Sequence, residues 1–438
     1  VTLARRGNAN NVDLNRNFPD NVAGPHPDGR SSYEIETQHF MTLADNNHFV
    51  IAANFHGGTE LVNYPFDNAY ATSQYTHADT DWFELIGVEY ATNAQIDANA
   101  GSTSTPTYTN KTSYMTDDDD WDGDAGSQLW HNYYQQSPGV THGAEWYRVF
   151  GGRQDYMNFY HQCREVTIEL SDTKLLSESS LDDYWYYNRD ALLYYLNQGT
   201  YGFRGAVKDI STGNPIENAT VTIIGHDAYG SNTVSDINYG DFYRPIQSGT
   251  YNILIEAPCY DSETLSGESI SDYTINDLGD ILLTPNIAIP NSLTATNIQS
   301  TSADLSWSGG STSYGLRYRT NGAVSWTTVT GINTESYSLT GLNPETTYEF
   351  EVRANCNSIS SSYSSSSTFT TASISYCSAG GSSAASNYIG IVDINDTPYN
   401  TVSTTTSGYS DFTGNNIFPN ILGLTPDSHS ITVTKQWV

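Results

Sequence analysis

The feature that most constrains the fold of this 438-residue chain is a change of texture near residue 200. Before it, apolar residues recur at helical spacing; after it, that periodicity stops. Asp81 to Ala94 sets Phe83, Ile86, Tyr90 and Ala94 near one helical face, and Leu181 to Leu196 does the same with Leu181, Trp185, Leu192 and Leu196. Between these helices the short apolar runs Phe49 to Phe55 and Val166 to Leu170 suit buried strands. Such alternation predicts an α/β domain, a sheet with flanking helices, over residues 1–200. From Tyr201 onward, short β-type runs are separated by Gly, Asn, Pro, Ser and Thr, the pattern of all-β sandwich modules in series. The expected divisions of that part are 201–286, 289–372 and 373–438.

Charge narrows the partners. With 17 Lys plus Arg against 49 Asp plus Glu, the formal charge of −32 argues against nucleic acid or an anionic membrane surface. It fits a secreted protein. No apolar run approaches the ~18 residues needed to span a membrane. The four cysteines, Cys163, Cys259, Cys356 and Cys377, are too few for a disulfide framework and too scattered for their pairing to be read. The chain opens at Val1, without Met and already close to a motif, and is expected to be a fragment lacking its natural N-terminus.

The candidates for chemistry lie in the first 200 residues. In Asn11-Val12-Asp13-Leu14-Asn15-Arg16-Asn17-Phe18-Pro19-Asp20, an amide and a guanidinium stand side by side at Asn15 and Arg16. A guanidinium is a planar fork of donors that matches a carboxylate, and the amide adds another donor. The plainer alternative is a surface turn with a salt-bridged arginine. His56 ends an apolar run and precedes Gly57-Gly58, which suits a metal ligand at a strand's C-terminal end; a structural histidine is the alternative. In Arg164 to Ser171, period-2 alternation sets Val166, Ile168 and Leu170 on one face and Thr167 and Glu169 on the other. A carboxylate on such a strand is a candidate general base, or else half of a buried ion pair.

Together these segments resemble the zinc metallocarboxypeptidase family, in its carboxypeptidase N/E (regulatory) branch. The resemblance covers residues 1 to about 200 and rests on Arg6-Gly7-Asn8-Ala9 with VDLNRNFPD, NFHGGTELVNYPFD at 54–67, GAEWYRVFGGRQD at 143–155 and CREVTIELS at 163–171. It implies that His56 is a zinc ligand, that Arg6 stabilises the carbonyl oxyanion, and that Asn15 and Arg16 clamp the substrate's terminal carboxylate. It further implies that Tyr147 closes over that end and that Glu169 is the general base and acid. Asp67 and Gln154 fall at the pocket that takes a Lys or Arg side chain. The implied substrates are peptide or protein C-termini, and the implied cofactor is Zn2+. The family's other two zinc ligands form an H-x-x-E motif upstream of the position of Arg6, and that segment is absent from this chain. His142-Gly143-Ala144-Glu145 has the spacing but falls where the family has a turn. Arg153 stands beside Gln154 where the branch usually has Met, a cation that either weakens selection for basic residues or turns outward.

Asp118, Asp120, Asp122 and Asp124 lie in a dense acidic run whose spacing opens a calcium loop, although the twelfth position is Leu129 rather than Glu. A solvated acidic insertion is the alternative to Ca2+. By resemblance, residues 201–286 are a transthyretin-like (carboxypeptidase regulatory-like) sandwich and 289–372 a fibronectin type III domain, with Trp307 in its core, Tyr318 opening a strand and Leu342-x-Pro344-x-x-x-Tyr348 as a tyrosine corner. Residues 373–438 resemble the start of a β-rich module of secreted bacterial proteins, so a bacterial extracellular or cell-surface location is expected, with surface or glycan attachment through the β modules. The competing function is a metal-free, peptidase-like binding or adhesion protein.

Overall fold

A computed structural model of the chain describes residues 5–70, 74–116, 139–357 and 359–374, and the backbone of three further strands between 387 and 437. The acidic run with Asp118, Asp120, Asp122 and Asp124, and also Cys377, lie outside the described residues. The chain divides into two compact units, the first of Val1–Ile289 with Gly310–Ser313 and Arg353–Tyr363, the second of the remainder.

The first unit begins with an α/β domain. Helix α1 (Ile35–Asp45) precedes strands β1 (Ile51–His56) and β2 (Glu60–Tyr64) and the long helix α2 (Thr80–Ala100). Strand β3 (Val140–His142), the one-turn helix α3 (Gly143–Trp146), α4 (Arg153–His161), β4 (Arg164–Leu170) and α5 (Leu181–Gln198) follow. The sheet order is β1-β4-β2-β3; β1 is parallel to β4, β4 antiparallel to β2, and β2 parallel to β3. This mixed sheet packs α2 through Phe83, Ile86, Tyr90 and Ala94, all buried, as their spacing predicts.

Two expectations fail here for identifiable reasons. The helix over Leu181–Gln198 forms, but with a different face inward: Leu181, Trp185 and Leu196 are 53%, 56% and 56% exposed, whereas Tyr187, Ala191 and Tyr195 are buried. The tyrosines win because each hydroxyl finds a carbonyl: Tyr187 Oη donates to Thr109 O at 2.6 Å and Tyr195 Oη to Ala52 O at 2.6 Å. Leucine has no equivalent bond to offer at the sheet's end. Strand β1 is half-exposed rather than buried, with Phe55 48% exposed, because it is the sheet's edge and has a single partner strand.

The first unit continues with β5 (Gly202–Asp209), β6 (Thr220–Ile223), β7 (Thr233–Val234), β8 (Asp241–Arg244), β9 (Gly249–Glu256), β10 (Glu263–Ile270) and β11 (Ile275–Leu283). They form two sheets, β10-β9-β6-β7 and β11-β5-β8, closed over a core of Phe203, Val207, Val221, Ile223, Ile253 and Ile255. A buried ionic cluster joins this sandwich to the α/β domain. Asp79 accepts from Arg164 on β4 at 2.7 Å, from Arg244 on β8 at 2.8 Å and from His226 at 2.9 Å; Asp227 also pairs with Arg244. Burial alone would raise the Asp79 carboxyl, but Arg244 and Arg164 hold it well below the ordinary value. Arg244 is fully buried, so Arg244→Met strands two carboxylates with half of their compensation. We expect the unfolding free energy in urea to fall by about 3 kcal/mol; a change under about 1 kcal/mol would show the cluster to be dispensable. Cys259 and Cys356, both in this unit, form a disulfide, and Cys163 is a buried free thiol.

From Asn291 onward the described chain is all-β. Strands β12 (Asn291–Thr296), β13 (Ser302–Ser308) and β16 (Ser336–Thr340) form one sheet; β14 (Ser313–Thr320), β15 (Thr327–Ile332), β17 (Thr347–Cys356), β18 (Ile359–Ser360) and β19 (Ser367–Thr370) form the other. Trp307 is buried as expected, and Asn343 N–H donates to Tyr348 Oη at 3.0 Å, which is the tyrosine-corner bond. Tyr318 lies towards the end of β14 rather than opening it. Strands β20 (Asn387–Ile394), β21 (Thr397–Asn400) and β22 (Ile431–Trp437) pair in the order β21-β20-β22.

Candidate active site

Asp13 organises the amide–guanidinium pair. Leu14–Arg16 is a single 3-10 turn whose cap is Asp13, with Asn15 N–H donating to Asp13 Oδ1 at 3.1 Å. The other carboxylate oxygen of Asp13 accepts from Arg6 Nε at 2.6 Å. One side chain thus ties Arg6 to the turn that presents Asn15 and Arg16, a role the sequence reading did not assign to it. Asn15 Oδ1 accepts from Arg153 N–H at 2.8 Å, which leaves its Nδ2 directed at His56 Nε2, 3.5 Å away.

Strand pairing brings His56 and Glu169 together. They are register partners at the C-terminal ends of the parallel strands β1 and β4, and His56 Nδ1 is 3.6 Å from Glu169 Oε1. Glu169 Oε2 is buried and has no hydrogen-bond partner among the described residues. A carboxylate with one oxygen beside an imidazole and the other unspent, at the mouth of a crevice, is equipped to take and return a proton. Arg6 and His56 line two cavities, one of about 450 Å³ that includes Asn15 and Arg153 and one of about 380 Å³ that includes Trp146, Tyr147 and Glu169.

Asp67 is buried, 4% exposed. Its Oδ1 accepts from Asn63 Nδ2 at 2.9 Å and from Gln154 Nε2 at 3.1 Å. A Cβ at position 143 would stand 2.0 Å from the same oxygen, so only glycine lets that turn close on the carboxylate. Burial pushes the Asp67 carboxyl up to about 6, against the opposing pull of the Asn63 hydrogen bond and of Arg16 and His56. The carbonyl oxygens Asn63 Oδ1 and Gln154 Oε1 are buried without partners among the described residues. Acceptors left open around one carboxylate make a site for a group that only donates. Tyr147, 46% exposed, ends α3 beside Trp146, its ring centroid 4.7 Å from that of the indole. Burial raises its phenol, which Arg16 lowers and Glu169 and Asp67 raise, so all three charges act on this hydroxyl. Sequence reasoning missed Asn63, whose signal was its place on the strand leading into Asp67, and Asn54, whose Nδ2 lies 3.2 Å from His56 Nε2.

Arg153 turns outward. Its Nε donates to Glu165 at 2.8 Å, its guanidinium to Ala53 O at 2.8 Å, and it lies over the Phe40 ring. It is therefore engaged away from Asp67. The group of three potential metal ligands among the described residues is Asp79, His226 and Asp227, whose carboxylates the two arginines already occupy. A zinc site takes three protein ligands. No such group includes His56 or His142 among the described residues, so these residues do not by themselves complete one.

The comparisons with known proteins follow the same division. The family model described as zinc carboxypeptidase matches residues 2–191, and that of the fibronectin type III domain matches residues 288–370. The chain is 31% identical over 304 residues to human carboxypeptidase D, covering 68% of this chain and 20% of the relative. It is 33% identical to rat carboxypeptidase D, covering 60% and 17%, and 31% identical to the human carboxypeptidase N catalytic chain, covering 60% and 55%. The chain thus spans from about a fifth to about half of the length of these relatives. All of them are animal proteins, which lends no support to a bacterial source. No helix among the described residues is long and apolar enough to cross a membrane. Residues 2–191 are thus a zinc carboxypeptidase domain, and a fibronectin type III domain follows at residues 288–370.

Proposed function

We propose that the protein is a secreted metallocarboxypeptidase that hydrolyses the last peptide bond of its substrate and releases C-terminal Lys or Arg. The observation that carries this reading is a proximity: the Arg16 guanidinium, the buried Asp67 carboxylate and the Tyr147 hydroxyl are close enough to act on one another and on the His56–Glu169 pair. A free basic residue has a carboxylate for Asn15 and Arg16 and a cation for Asp67, Asn63 and Gln154. Holding both ends of one residue discriminates more sharply than an apolar pocket does. Tyr147 covers the bound end. Glu169 takes a proton from the attacking water as its oxygen bonds to the carbonyl carbon, and returns it to the departing amine as the C–N bond breaks. Arg6 faces the oxyanion that forms. His56 is the family zinc ligand on this chain, and activity requires two further ligands from outside the described residues. The Cys259–Cys356 disulfide supports an oxidising, extracellular compartment. We read the β5–β11 sandwich as transthyretin-like and assign the β modules to folding and surface or glycan attachment.

A metal-free binder of peptide ends is the other reading, since among the described residues no group of three potential ligands includes His56. Both readings require the carboxylate fork, and only the enzyme requires Glu169. Binding of a peptide ending in free arginine is expected to weaken about 30-fold or more when its carboxylate is amidated, and equally in Arg16→Ala. The two changes combined should cost no more than either alone. Undiminished binding of the amide would remove terminal-carboxylate recognition from both readings.

A further inference from the structure

The main chain at Asp67 and Asn68 is held on every side by groups from elsewhere in the fold. Asp67 N–H donates to Asp155 Oδ1 at 2.9 Å and Asn68 N–H to Asp155 Oδ2 at 3.0 Å. On the opposite side, Val149 N–H donates to Asp67 O at 2.9 Å, and the Arg148 guanidinium donates to Asn68 O through Nε at 2.9 Å and a terminal nitrogen at 2.6 Å. The Asn68 side chain donates to Asp20 Oδ2 at 3.0 Å, an oxygen that also accepts from Gly151 N–H at 2.9 Å. All four peptide groups of the two residues are therefore paired, and no partner is a sequence neighbour.

Asp155 is the costly member of this arrangement. It is buried, and the charged groups acting on it are Asp67 and Asp20, both of its own sign. A buried carboxylate facing like charges is expensive unless its oxygens do something that an apolar side chain cannot. Here each oxygen takes one N–H of the loop. Resting on the pocket reading above, we propose that Asp155 is a positioning residue for the specificity carboxylate, with Arg148 closing the clasp from the other side. Together they fix the direction of the Asp67 side chain, and so the selectivity of the pocket for a cationic end residue. Neither residue touches the substrate. Arg148 is solvent-exposed between the rings of Tyr70 and Phe150, so the Tyr147 segment and the Asp67 loop are fastened to each other at the pocket rim.

The test is Asp155→Asn in the full chain. Asparagine keeps the shape but offers one acceptor oxygen and turns an amino group towards the second N–H. Equilibrium binding of two peptides that differ only in ending in arginine or leucine gives the selectivity. We expect the Arg/Leu affinity ratio to fall about tenfold, because the leucine peptide makes no use of the Asp67 direction. A purely structural defect would lower both affinities alike and leave the ratio, which would overturn the proposal. If Asp155→Asn does not fold, Arg148→Ala decides. Its side chain is exposed, a threefold fall in the ratio is expected, and an unchanged ratio counts against the clasp. If the parent protein shows no preference for arginine, the pocket reading fails on its own. The clasp is then judged by amide hydrogen exchange, with at least tenfold faster exchange expected at Asp67 and Asn68 in Asp155→Asn; unchanged exchange overturns it.

Discussion

Glu169→Gln lowers turnover of an arginine-ended peptide by roughly 100- to 10,000-fold while its equilibrium binding stays within about threefold. The reason is local. Glu169 stands opposite His56 in the β1–β4 register, and one of its oxygens is buried with no hydrogen-bond partner among the described residues. Glutamine preserves the shape and loses the capacity to take a proton. The terminal carboxylate and the cationic side chain of the substrate are gripped elsewhere, so affinity should survive. The measurement is single-turnover hydrolysis beside peptide binding, on protein that includes the segment supplying the remaining zinc ligands. Turnover within about tenfold of the parent would remove Glu169 as the proton carrier, whereas peptide binding by the parent without any turnover would favour the binding-protein reading.

The second large effect belongs to Asp67. Asp67→Ala should weaken binding of the arginine-ended peptide about 30-fold or more, because it removes one partner of a desolvated charge pair. The pH dependence has a definite sign. Burial raises the carboxyl to about 6, so below that pH it is largely protonated and offers no charge to a cation. Affinity for the arginine peptide is expected to rise as pH increases through about 6 and then level off; the leucine peptide should lack this step. The same shift has a consequence for stability. The folded protein holds this proton more tightly than the unfolded chain, so the contribution of Asp67 is fully present below the ordinary value of 3.8 and is lost as pH rises through about 6. A bound cation relieves the ionised form, and the arginine peptide should therefore raise Tm more at pH 7 than at pH 5. His56, Arg16, Glu169, Asn63 and Asp155 all act on Asp67 or on the loop that carries it, so the titration is read as a difference between the parent and Asp67→Ala.

How much of this was legible in the residues differs from element to element. The inward face of α2 followed from spacing, with Phe83, Ile86, Tyr90 and Ala94 all buried and Ile96, off that stripe, 59% exposed. The face of α5 did not. That helix carries both leucines and tyrosines, and the choice between them depended on carbonyls at Thr109 and Ala52, remote in sequence. Arg153 likewise carried two readings, and Glu165 decided between them from another element. The chemical residues announced themselves by motif, yet Asp155 did not, since it acts through Asp67, 88 residues away; Asp13 and Asn63 stand 7 and 4 residues from the partners they hold, but residue type alone did not mark them.

By itself, then, the sequence determined what short-range order can specify: an α/β region giving way to β-sandwiches, a guanidinium beside an amide, and a carboxylate on a strand aligned with its family's motif. These depend on residue type and on spacing within one segment. Only the tertiary structure decided that Glu169 faces His56, that Asp67 is buried with its proton held up to about pH 6, and that Asp155 and Arg148 clasp the loop beneath it. The physical reason is that burial, register and like-charge proximity are properties of pairs brought together from 80 or more residues apart, and the free energy of a charged group is set by such surroundings rather than by its neighbours in the chain.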